Sequence, residues 1–197
     1  MKIFLTDQQA HLIRLLPAFK ALPLAYDAQT VLREKATSVM IPSSAAVTDL
    51  SSYNFDSLFA YDIFPSRIMS FAAEWQSQGR TMQEGDVIVQ QAFLPPLLLS
   101  MKCVFAVRVL QIFREPTKVG FSYGTLKGHA EMGRSEFSFA LHDGVIRATI
   151  HTYSFPGILL TRLVAPLVTL PYQRYCTHLG LQRMREAFLA ANRAHVC

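Results

Sequence analysis

The chain has 197 residues, of which 51% are apolar and only 17% charged, with a net charge of +5 and a pI near 9.3. That composition excludes a disordered chain, and the length suffices for one domain whose core needs no disulfide or metal to hold it. The Lys and Arg residues are scattered, without the clustered basic patch that nucleic-acid binding requires.

The first stretch, MKIFLTDQQAHLIRLL, begins like an export signal but is interrupted by Asp7, His11 and Arg14, so none is expected. Cys103, Cys176 and Cys197 are odd in number, and no two sit at metal-ligand spacing. They read as reduced thiols of a cytoplasmic protein.

Residues 6–20 read as a helix. Thr6 stands at the N-cap with Gln9 three residues on, and Leu12, Ile13, Leu16 and Phe19 recur at helical spacing. Residues 1–35 are expected to form an N-terminal helical extension to a single domain over 36–197. Within it, 36–41 reads as a first strand. Residues 53–63 read as a second, with Phe59, Tyr61 and Ile63 on one face. Pro65 then opens a helix over 66–78 with Ile68, Met69, Ala72 and Trp75 on one side, closed by Gly79.

The period changes to two from Asp86 onward. Strands are expected over 86–93, 102–113, 119–125, 135–141 and 145–155. In the second of these, Cys103, Phe105, Val107, Val109, Gln111 and Phe113 share a face. Asp143-Gly144 marks a hairpin between the last two. Residues 158–192 read as a helix kinked at Pro166 and near Pro171. Its apolar start, 157–171, is shorter than the about 20 residues a membrane span needs and carries Arg162. A buried or interface-seeking helix is expected there, without stable membrane insertion. The resulting class is α+β: an antiparallel sheet, curled by strand twist, wrapped around a long C-terminal helix.

The densest run of chemically capable groups is the corner GFSYGTLKGHAEMGRSEF, residues 120–137. Its glycines are not spaced as a phosphate-binding fingerprint, and no helix follows. His129 and Glu131, two apart, would face one side of a strand. With Tyr123 they form a candidate acid–base set. The favoured reading of the same pair is that it satisfies backbone groups and holds the corner shut. Phe121, Ser122 and Thr125 beside them are candidate ligand contacts, as are Arg147, His151 and Tyr153 along one face of the last strand if that face looks into a cavity; the uniformly apolar opposite face favours their looking outward. A metal would need a third ligand, and none is assigned. No nucleophile triad and no cofactor motif is found.

The string Tyr123-Gly124-Thr125-Leu126, with Gly128-His129, Glu131 and Gly133, resembles the signature of the family called domain of unknown function nineteen-ninety. The likeness is specific over 120–137 and thin before Asp86. The family's usual Ser, basic residue and Pro after the last strand is here Ser154, Phe155 and Pro156. The element order is similar to the helix-grip fold of lipid-transfer and pollen-allergen proteins, which implies an apolar cavity between sheet and helix. The leading expectation is a protein that binds a small apolar or amphipathic molecule there. The alternatives are an enzyme using His129 and Glu131 for cyclisation, hydration or isomerisation, and a membrane-surface or protein-interaction module.

Overall fold

The computed structural model describes residues 1–43, 46–94, 101–156 and 170–193. Among them are the strands β1 (Lys2–Phe4), β2 (Arg33–Met40), β3 (Met69–Ala73), β4 (Val87–Leu94), β5 (Met101–Glu115), β6 (Lys118–Thr125), β7 (Glu131–His142) and β8 (Val145–Pro156). The α-helices are α1 (Leu12–Lys20), α2 (Asp56–Phe59), α3 (Glu74–Gln78) and α4 (Leu170–Ala191). The strands form one antiparallel sheet in the order β2-β8-β7-β6-β5-β4-β3, with β1 also paired to β5. Tight hairpins join β5 to β6 and β7 to β8. At the second, Asp143 and Gly144 have φ of 51° and 76°, the double positive φ that makes Asp-Gly the favoured two-residue turn.

Each face of the sheet packs against helix, because the alternation along β4 to β8 supplies apolar residues to both. The inner face carries Val107, Val109, Phe121, Phe137, Phe139 and Ile150, which pack against Leu181, Met184 and Phe188 of α4 and Leu58 and Phe59 of α2. Phe139 and Phe188 stack with ring centroids 4.9 Å apart. At Gly180 the helix comes close enough that a Cβ would sit 3.2 Å from Ile150. The outer face carries Ala72, Val87, Val89, Val104 and Ala106, covered by Leu12, Leu16 and Phe19 of α1. Each Val, Leu, Ile, Met or Phe among them contributes about 1.5–3 kcal/mol when fully buried.

Several expectations change. Residues 53–63 hold the short helix α2 and a turn at Tyr61, not a strand. Residues 66–78 divide into strand β3 and helix α3, because pairing of Met69–Ala73 with β4 overrides their helical spacing. A bulge between Val109 and Gln111 reverses the alternation of β5. Ile112 therefore joins the inner face and Phe113 leaves it, contrary to the face expected. In α4, Tyr175, whose spacing with Leu179, Met184 and Phe188 predicts one apolar face, is exposed, and Leu181 takes a place in the core. Residues 158–169, including the kink expected at Pro166, lie outside the described residues. Residues 1–35 supply β1 and α1 and the first three residues of β2, all laid against the same sheet.

Candidate functional site

The inner face is apolar under the distal half of α4 and polar toward the β6–β7 corner. Cross-strand register aligns Lys35, Thr152, Ser135 and Tyr123 side by side on four strands. The Ser135 and Thr152 hydroxyls lie 3.4 Å apart. The Tyr123 hydroxyl reaches Ser135 and Tyr61, and the Gln90 amide donates to the Tyr61 hydroxyl. Tyr61 is buried with φ of 63°, a strained conformation for a bulky residue. Enclosure of its hydroxyl pushes the Tyr123 phenol up to about 12, and burial raises Tyr61 well above the ordinary phenol value. Both are neutral donors at physiological pH. Tyr123, Ser135, Thr152 and Ser154 remain only partly buried, so this end of the inner face is reachable.

The structure separates the side chains of His129 and Glu131. The His129 Nδ1 accepts the backbone N–H of Glu131 at 3.0 Å, and the ring packs on Phe105 with centroids 4.2 Å apart. Loss of water around the imidazole holds it down at about 3, so it is neutral. Glu131 instead turns to Ser154. Its carboxyl is raised above its ordinary value, because desolvation outweighs the Ser154 hydrogen bond and the charge of Lys35. Glu131 and Tyr123 thus share the polar row, while His129 braces the corner. Gly133 fits beneath them with φ of 147°, its N–H donated to Thr125 Oγ1 at 2.9 Å.

Phe121 is in the sealed inner core. Ser122, Arg147, His151 and Tyr153 fall at the alternate positions of their strands and face outward, away from α4. There His151 Nε2 lies 2.7 Å from Glu34, and Arg134 lies over the Tyr153 ring at 4.5 Å. Strand parity therefore keeps Arg147, His151 and Tyr153 from converging with Tyr123. Sequence reasoning missed Tyr61, Gln90, Ser135 and Thr152. Gln90, inside the apolar run VIVQQAF, was a readable sign of a buried polar contact. The others depend on register.

A cleft of about 750 Å³ lies elsewhere, at the β3 edge of the sheet. Phe64 and Phe71 line it. The same two rings pack on Tyr61, at 6.3 and 5.0 Å between centroids, so an aromatic wall divides the cleft from the polar row.

An antiparallel sheet wound in sequence order against its own terminal helix defines a helix-grip protein. Solved structures share this architecture. One is a hypothetical protein from Helicobacter pylori, with a TM-score of 0.55 and 7% identity over 82% of this chain and 90% of that one. Another is the di-domain ARO/CYC StfQ from the steffimycin biosynthetic pathway, with a TM-score of 0.51 and 13% identity over 84% of this chain and 53% of that one. The model of the Domain of unknown function (DUF1990) matches residues 54–183, and the chain belongs to that family. A curated UPF0548 protein from Deinococcus radiodurans is 32% identical over 81 residues, which is 41% of each chain. The match thus spans about two fifths of that relative's length.

Proposed function

We propose that the protein binds a small amphipathic molecule on the inner face of its sheet, with the molecule's polar end at Tyr123, Glu131, Ser135 and Thr152. The observation that carries this reading is the polar row itself. Buried polar groups are costly in a core unless they are matched. Here Tyr61, Gln90, Tyr123 and Ser135 form a hydrogen-bonded chain on a face that is otherwise apolar. The aromatic residues beside the row would meet an apolar body. The neutral Tyr123 phenol and the Ser135 and Thr152 hydroxyls suit a ligand carrying carbonyl or hydroxyl oxygens, since each can donate a hydrogen bond to them.

A second reading, acid–base catalysis on the same ligand, is favoured by one feature. Glu131 has its proton affinity raised beside the Tyr123 phenol, as a general acid requires. In this reading His129, neutral and engaged by backbone, positions the corner rather than moving protons.

Native mass spectrometry of protein purified from its own host tests the binding. A small-molecule adduct on the wild type that is lost on Tyr123→Phe and Glu131→Gln supports it. An adduct-free wild type, or an adduct indifferent to both substitutions, refutes it.

A further inference from the structure

Among the described residues β3 is an edge strand, paired on one side only. Phe93 donates its N–H to Ile68 O at 3.1 Å, which fixes the alternation of the β3–β4 ladder. The pairs Ser70–Gln91 and Ala72–Val89 then bond to each other, while Met69, Phe71 and Ala73 direct their main-chain groups outward. Two of those outward N–H groups are already satisfied, Met69 by Pro65 O at 3.2 Å and Ala73 by Gln76 Oε1 at 3.1 Å. Between them the N–H and C=O of Phe71 point into the cleft.

The cleft is shaped around this edge. Gln9 stands on the outer-face side, and Leu179, Gln182 and Glu186 of α4 stand on the inner side. Met69 and Phe71 form the floor, and the segment 64–67 closes one end. Its charges are unequally committed. Arg183 is held by Asp62 with Nε–Oδ1 at 3.0 Å, and Glu186 also acts on it. Among the described residues Arg67 makes no ion pair, and it is exposed on the cleft wall.

We infer that this cleft is a second binding site, which takes a short extended peptide segment added antiparallel to β3. A residue of the segment exchanges both main-chain hydrogen bonds with Phe71. Its apolar side chain points inward over Phe64, Phe71 and Leu179, its neighbours point outward beside Gln9, and an acidic residue nearer its C-terminus meets Arg67. A donor and an acceptor from one strand residue, set in a groove, are matched by another strand, and the pockets beside them read alternate side chains. Shielding by the cleft also explains how an edge of this kind escapes indiscriminate pairing.

The probe is a positional-scanning library of fluorescein-labelled, C-amidated heptapeptides that alternate polar and apolar residues and end in Glu. Binding is read by fluorescence polarisation, and the contact by amide shifts of the full-length protein. The expected result is saturable binding with the Phe71 amide among the most shifted. N-methylation of the central apolar residue of the best peptide should weaken it about tenfold, since a hydrogen bond is lost. Arg67→Glu should weaken it by a similar factor and leave the variant's melting temperature unchanged. The inference is overturned if no member binds below about 1 mM, if the N-methylated peptide binds equally well, or if the shifts map away from β3.

Discussion

Lowering the pH from 7 to 4 protonates His129 in the unfolded chain long before it does so in the folded one. The imidazole is held at about 3 in the structure against an ordinary value of 6.5, because protein replaces water around the ring. A group with lower proton affinity folded than unfolded stabilises the fold above its unfolded value, and that stabilisation is lost as the pH falls. Between 6.5 and 4 the loss spans about 2.5 pH units at about 1.4 kcal/mol each, or about 3.5 kcal/mol. Partial exposure of the ring brings this to about 2 kcal/mol. Urea unfolding of the wild type and His129→Asn at pH 7, 5.5 and 4 isolates the contribution, since every other titration is common to both proteins. The stability difference between them should narrow by about 2 kcal/mol at pH 4. The His129 ring proton should show no NMR titration step near 6.5. Parallel pH profiles, or a ring titrating at its ordinary value, would refute the reasoning.

Glu131 has the opposite sign. Its carboxyl is raised on folding, so its ionisation above that value is a cost, and the wild type regains this stability as the pH falls through it toward the ordinary carboxylate value. Glu131→Gln should therefore be more stabilising at pH 8 than at pH 5 in thermal melts, and an effect independent of pH would count against it. Gly133→Ala should destabilise by about 3 kcal/mol or more. Its Cβ would lie 1.9 Å from the Tyr153 carbonyl oxygen at φ of 147°. A loss under about 1 kcal/mol in chemical denaturation would show that the strands part easily there. Phe188→Ala removes the ring stacked on Phe139 and Tyr53 and should cost about 3–5 kcal/mol by the same assay.

The sheet was legible where period two ran long and turns were strongly marked. Residues 102–113, 119–125 and 145–155 fall on β5, β6 and β8, and Asp143-Gly144 turns as its composition requires. The stretch MSFAA, Met69–Ala73, satisfied both the helical and the strand spacing, and only its distant partner β4 decides between them. The bulge at Leu110 left no mark in composition, so the faces of Ile112 and Phe113 were exchanged. In the candidate site, the importance of the corner was readable, but the division of labour within it was not. His129 and Glu131 stand two apart, yet a backbone N–H reaches the imidazole before the carboxylate does. Tyr61 enters the row from a turn in a segment that reads as a strand, and Ser135 and Thr152 meet only through register.

The pairing of β2 with β8 joins Arg33–Met40 to residues 147–154, near opposite ends of the chain. On a ribosome, that first long strand emerges more than a hundred residues ahead of its partner β8. Contacts so remote along the chain form late, after the hairpins from β5 to β8 have closed. Until then the nascent segment waits in water, and the charges of Arg33, Glu34 and Lys35 discourage it from finding another chain first.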